Sequence, residues 1–288
     1  MSRSRPVDGF TLEYDRAGSG PPVVLLHGWP GSRADQREVA ARLQDHADVV
    51  VPDLRGFGGS DRHDRAPEEA YSADAQADSV CALLEELELE RPVLSGYDVG
   101  SRVAQTVARR IPDDVRALVI SPPVPGVGQR VLEPDAQREF WYQPFHRLPL
   151  AEELIDGDER AVRTYLEHFW RHWGGPGLPL DPARFDALVA DYARPGAFTA
   201  SIAWYRSGAG TVARALAERP PAPLDRLAVP TTVLWPEHDP LFPVAWSDRL
   251  DEFFADVDMQ VLAGVGHFVP LQAPDAVADA IRRRLGRA

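Results

Sequence analysis

The sequence predicts an α/β protein: a mostly parallel, doubly wound sheet with a helical segment inserted between two of its strands. Three observations carry that prediction. Short apolar runs alternate with stretches of helical periodicity. One run breaks at a turn flanked by two glycines, Gly96-Tyr97-Asp98-Val99-Gly100. The alternation stops near Pro122 and resumes near Val229, on either side of a stretch rich in Trp, Tyr, Phe, His and Pro.

Residues 23–26 are continuously apolar, as a strand buried on both faces requires. They end at His27-Gly28-Trp29-Pro30-Gly31, and a helical pattern covers 32–43. Residues 49–51 read as the next strand, closed by Pro52-Asp53 and the glycine-rich 55–60. A helix is predicted over 73–87, a strand before the glycine-flanked turn, a helix over 102–110 and a strand over 115–120. Strands return at 229–234 and 259–262, and a helix closes the chain over 274–285. The organisation expected is a first core part over 1–125, a helical lid over 126–223 and a second core part over 224–288.

Composition removes several classes of function. The chain has 288 residues, 44% of them hydrophobic, enough for a sizeable core. Its 44 acidic and 31 basic residues give a net charge of −13, which argues against a nucleic-acid partner. All the bases are arginine. The single cysteine, Cys81, allows no internal disulfide and no cysteine metal cluster, and its helical surroundings place it in the core. No apolar run approaches the ~20 residues of a spanning helix, so no membrane partner and a cytoplasmic location are expected.

In an open α/β sheet, ligands bind beyond the carboxyl ends of the strands. Three candidate groups leave such ends. Asp98 lies in the glycine-flanked turn at the spacing of a nucleophile elbow, Asp239 follows 229–234, and His267 follows 259–262. Glu237 is the reserve for the second acid. The central residue of the elbow is Asp, and no Gly-x-Ser-x-Gly motif occurs elsewhere, which sets serine esterases aside. Asp53 reads as a structural carboxylate. His46, His63, His146, His168 and His172 read as surface or packing residues.

With these motifs the chain resembles the α/β-hydrolases that use an aspartate nucleophile, and among them the epoxide hydrolases. The resemblance rests on His27-Gly28-Trp29-Pro30, residues 53–60, the Asp98 elbow, the aromatic lid, Asp239 and Gly266-His267. It implies a covalent alkyl ester on Asp98, hydrolysed by water that His267 activates with Asp239 behind it. It also implies oxyanion donors from the backbone of Trp29 and Val99, and two lid tyrosines, Tyr142 and Tyr205, that supply a proton to the epoxide oxygen. His27, Pro30, Trp141, Trp204 and Phe268 are the expected substrate contacts, in a pocket lined by aromatics. The implied partners are a small epoxide and water, with no cofactor and no metal; a homodimer is left open.

Haloalkane and haloacetate dehalogenases share the nucleophile and are the competing resemblance. Haloacetate dehalogenases usually follow the nucleophile with Arg, keep a second Arg further along the helix and carry His-Trp in the lid. Here Val99, Arg102 and Phe140-Trp141 stand at those places, so one Arg and one Trp are present. A non-catalytic binding protein on the same scaffold is the remote alternative. Tyr97, where many relatives have His, has no role that the sequence assigns.

Overall fold

The computed structural model describes residues 2–178 and 181–286. Among them, eight strands form one sheet: β1 (Ser2–Arg3), β2 (Glu13–Gly18), β3 (Pro22–Leu26), β4 (Asp48–Pro52), β5 (Val93–Gly96), β6 (Ala117–Ile120), β7 (Thr231–Pro236) and β8 (Val257–Leu262). The order across the sheet is β1-β2-β4-β3-β5-β6-β7-β8. The first two pairings are antiparallel and the rest parallel. The central strands β3, β5 and β6 carry Val, Leu, Ile and Ala on both faces, and helices cover each face. At roughly 1.5–3 kcal/mol for each buried Val, Leu or Ile side chain, this double layer is the main source of cohesion.

The predicted strands and helices recur with shifted ends. The region 32–43 splits into a 3-10 turn, Arg33–Gln36, capped by Ser32, and a helix, Arg37–Leu43. β8 starts two residues earlier than its apolar pattern, because as the last strand of the sheet it exposes Met259 and Val261. β1 and β2 are not evident from the apolar pattern: β2 carries one buried residue, Tyr14, and otherwise faces solvent. Cys81 is half-buried, packed against the main core.

Between β6 and β7 the described residues contain helices and no strand. The principal helices are Tyr142–His146, Pro149–Ile155, Glu159–Trp173, Pro182–Tyr192 and Ala197–Arg206. They bring aromatic rings down onto Trp29 at the end of β3. Asp158 caps Glu159–Trp173 by accepting from the Arg160 and Ala161 amides, and Asp181 caps Pro182–Tyr192 in the same way. No helix among the described residues is long and apolar enough to cross a membrane.

Candidate active site

The turn after β5 is dictated by crowding. A Cβ on Gly96 would stand 2.5 Å from the Gly100 carbonyl, and one on Gly100 would run into the Leu26 carbonyl of β3. Asp98 has a positive φ of 50° and ψ of −121°, a conformation costing roughly 1–3 kcal/mol for a residue with a side chain. The helix Val99–Arg110 begins at the next residue and buries Val103, Ala104, Val107 and Ala108, which helps to hold the turn.

Asp98, His267 and Asp239 come together at the ends of β5, β8 and β7. His267 Nδ1 lies 2.9 Å from Asp239 Oδ2, and its Nε2 lies 3.5 Å from Asp98 Oδ2. Asp239 Oδ1 accepts from the Leu241 amide at 2.9 Å. Glu237 is turned away and accepts from the Gly264 amide at 2.8 Å. All three site residues are buried. Burial alone would lower the His267 pKa, but Asp239 and then Asp98 outweigh it and push the ring up to about 10.

Asp98 Oδ1 accepts from the Trp29 amide at 2.7 Å. The Trp29–Pro30 peptide is cis. Val99 opens its helix, so its amide has no intrahelical acceptor. The loop carrying Trp29 is clasped from two sides. Gly31 donates its N–H to Tyr192 Oη at 3.0 Å, and the Tyr192 hydroxyl donates to the Gly31 carbonyl at the same distance. Tyr97 fills the space beneath Gly28 and donates its hydroxyl to Asp35 Oδ2 at 2.7 Å, an oxygen that also receives the Ser32 amide. Tyr97, Asp35 and Tyr192 are thus supports of the site that the sequence did not assign.

Tyr142 and Tyr205 are both buried against Trp29, Tyr142 stacked at 5.6 Å and Tyr205 edge-on at 5.7 Å. Their rings meet edge-to-face at 5.5 Å, and Gln143 Nε2 donates to Tyr142 Oη at 3.1 Å. Burial, followed by the Asp98 carboxylate, holds Tyr142 well above the ordinary phenol pKa. Burial, Tyr142 and Asp98 do the same for Tyr205. Phe169 and Trp173 close the ring around Trp29, and the Trp173 carbonyl accepts the His267 amide at 2.8 Å.

Several expected contacts lie elsewhere. His27 is wholly buried and both its nitrogens serve the backbone, Nδ1 at the Gly28 carbonyl (2.9 Å) and Nε2 accepting from the Leu54 amide (3.0 Å). It holds two loops together and has no nitrogen left for substrate. Trp141 is 42% exposed and faces a separate apolar cavity of about 560 Å³ with Phe145, Tyr165 and His168, so it is not a wall of the reaction centre. Trp204 is buried in the main core, on the helix that carries Tyr205. Phe268 packs on Trp170 and stands 5.5 Å from His267, within the site's apolar wall. His146, buried among Trp29, Tyr142 and Tyr205, is a packing residue of this chamber. Asp53 is ion-paired with Arg33 and accepts the Arg33 and Gly59 amides.

Asp35 provides a test of the supporting network. Burial, only partly offset by Tyr97 and Ser32, raises its carboxyl from 3.8 to about 7. Between those values the native state holds a proton that the unfolded chain has released, so this group's contribution to stability falls as pH rises from about 4 to 7, then levels off. Asp35→Asn should keep the acceptor for Tyr97 and flatten that part of a plot of Tm against pH. An unchanged slope would show that Asp35 is already ionised in the native state.

A sheet with a buried carboxylate on its central elbow, facing a histidine and a second acid, defines a hydrolase of the α/β class. The family model for the alpha/beta hydrolase fold matches residues 21–274, and the chain belongs to that family. The protein is an epoxide hydrolase-like member with dehalogenase relatives as well. It is 30% identical over 284 residues to the soluble epoxide hydrolase of Corynebacterium sp. (strain C12), covering 95% of this chain and 93% of that protein. It is 32% identical over 211 residues to the fluoroacetate dehalogenase of Burkholderia sp., covering 72% of this chain and 68% of that one. A solved structure among epoxide hydrolases from metagenomes of hot environments superposes with a TM-score of 0.84 at 26% identity, covering 100% of this chain and 98% of its own.

Proposed function

We propose that the protein opens an epoxide to a vicinal diol through an alkyl ester on Asp98. The observation that carries this reading is the pair of buried, protonated phenols, Tyr142 and Tyr205, set over Trp29 within the field of the Asp98 carboxylate. An epoxide oxygen leaves as an alkoxide and needs a proton or a strong donor, whereas a halide does not. General-acid help of this kind is worth roughly 10²–10⁴ in rate.

In the first half-reaction an Asp98 oxygen attacks a ring carbon, the C–O bond breaks, and a tyrosine proton passes to the departing oxygen. In the second, His267 takes a proton from water and the hydroxide adds to the Asp98 carboxyl carbon. The ester C–O bond then breaks to release the diol and restore the Asp98 carboxylate, and the proton held on His267 returns to the tyrosinate left by the first step. The oxyanion on Asp98 is met by the Trp29 amide, which already donates to Oδ1, and by the Val99 amide. The high pKa of His267 suits this order. Esterification removes the Asp98 charge, which with the larger influence of Asp239 raises it, so the pKa falls and the neutral imidazole that acts as base is favoured when there is an ester to hydrolyse. Asp239 holds Nδ1 and keeps Nε2 toward the ester. The helices inserted between β6 and β7 serve as the lid that excludes bulk water, and the aromatic wall favours apolar or aromatic substituents.

The dehalogenase reading uses the same Asp98, and the fluoroacetate dehalogenase relative gives it weight. Against it, Val99 supplies no charge beside the nucleophile, and the charges that act on Arg102 are those of Glu218, Arg214 and Arg109. The deciding experiment offers styrene oxide, a short alkyl epoxide, fluoroacetate and chloroacetate in parallel, following diol and halide. Diol without halide is expected; halide without diol would overturn the proposal. Replacing both Tyr142 and Tyr205 by Phe should lower diol formation by about 10²-fold or more with Tm little changed. Activity retained in the double variant would remove the tyrosines from the chemistry.

A further inference from the structure

A second cavity, of about 640 Å³, runs along the flank of the helix Val99–Arg110, and Asp98, His267 and Asp239 are not among its walls. Five arginines are among its walls, and among the described residues three of them donate no side-chain hydrogen bond: Arg102 from the first turn of that helix, Arg109 two turns further on, and Arg214 from the short helix Thr211–Ala215. One carboxylate, Glu218, stands among them. Its Oε1 lies 4.0 Å from Arg102 Nη1, while Oε2 is taken by the Gly126 amide at 2.7 Å. Among the described residues, Arg109 and Arg214 have no side-chain hydrogen bond or ion pair. Asp74, the other acid at the rim, is engaged by Arg110 at 2.7 Å, and Arg219 is turned onto the Leu216 and Glu218 carbonyls.

Arg102 is the informative member. It is only 8% exposed, and its Nε donor has no partner. A buried guanidinium with an open donor is unfavourable unless something else completes it. Burial, opposed by Glu218 and joined by repulsion from Arg214 and Arg109, lowers Arg102 to about 10. Three arginines against one carboxylate make a local positive site in a chain whose net charge is −13. Guanidinium forks match the geometry of carboxylate and phosphate oxygens, and the volume is that of a small-molecule site.

We infer that this cavity binds a multivalent oxyanion, a phosphate ester or a polycarboxylate, on Arg102, Arg109 and Arg214, at a site separate from the reaction centre. The Arg102 amide donates to the Asp98 carbonyl at 3.3 Å, so the bound anion is gripped one helical turn from the elbow.

The test is calorimetric titration of the purified protein with inorganic pyrophosphate and with citrate, at constant ionic strength set by chloride. Saturable binding of one equivalent is expected. Arg109→Ala and Arg214→Ala, both at exposed positions, should each weaken it by about ten- to a hundredfold, and Glu218→Gln should strengthen it. Asp98→Ala should bind as the parent does. Pyrophosphate bound in preference to citrate assigns the phosphate-bearing class; the reverse assigns the polycarboxylates. Absence of binding would overturn the inference, as would affinity unchanged in the Arg109→Ala/Arg214→Ala double variant, or binding lost in Asp98→Ala.

Discussion

His267→Gln should consume one equivalent of epoxide and then stop. Attack by Asp98 does not require His267 as a base, so the ester forms; the water that should release it is no longer deprotonated. Intact-protein mass spectrometry should find a mass increase equal to that of the epoxide, and proteolysis should place it on the peptide containing Asp98. Turnover should fall by roughly 10⁴-fold or more, the scale seen when one member of a cooperating set is removed. Glutamine also removes a buried charge set between two carboxylates. Because the His267 pKa is raised from 6.5 to about 10, the parent's pairing contributes stability that is full below 6.5 and lost as pH rises through about 10. The variant should therefore lose Tm at neutral pH and little at pH above 10. Normal turnover in His267→Gln would mean that another group activates water.

Asp98→Ala should show no burst, no ester and no turnover above background, a loss of roughly 10⁴- to 10⁶-fold. Its effect on folding should be far smaller. The alanine would keep the unfavourable positive φ and lose the bond from the Trp29 amide, worth about 1 to 3 kcal/mol as a bond to a charged group. It would also break the 3.5 Å pairing with His267 while removing one buried carboxylate, two effects of opposite sign. A near-parental Tm with no mass adduct assigns the nucleophile to Asp98. A persistent adduct in Asp98→Ala would assign it to a different side chain and remove the basis for the proposed ester. The two variants differ in what accumulates, so together they separate the formation of the intermediate from its release.

The sequence by itself determined what is local. Gly96 and Gly100 announce the elbow because each stands where a Cβ would meet neighbouring backbone, a constraint that residue type alone expresses. The continuous apolar runs of β3, β4, β5 and β6 specify strands buried on both faces, and chain order brings Asp98, Asp239 and His267 to the same end of the sheet. The sequence already put Asp239 ahead of Glu237 as the second acid; the structure adds that Asp239 meets His267 while Glu237 accepts from the Gly264 amide. Solvent-facing β2 gave no apolar pattern from which to be read.

Only the tertiary structure decided which side chains meet across long separations. The Tyr97–Asp35 bond spans 62 positions and the Tyr192–Gly31 bond 161, and neither partner carries a local pattern that implies the other. Side-chain direction was equally out of reach among the inserted helices. Trp141 and Tyr142 are adjacent, yet one faces solvent and the other is buried on Trp29, because consecutive helical residues point about 100° apart and aromatics occur on both faces. His27 follows a strand that ends at the site, but it is consumed by two backbone groups. Arg102, one turn beyond Asp98, turns to the Glu218 cavity because Glu218 returns to the helix flank from 116 residues further along the chain. Residue type set the available chemistry, and long-range packing fixed the direction in which each group could use it.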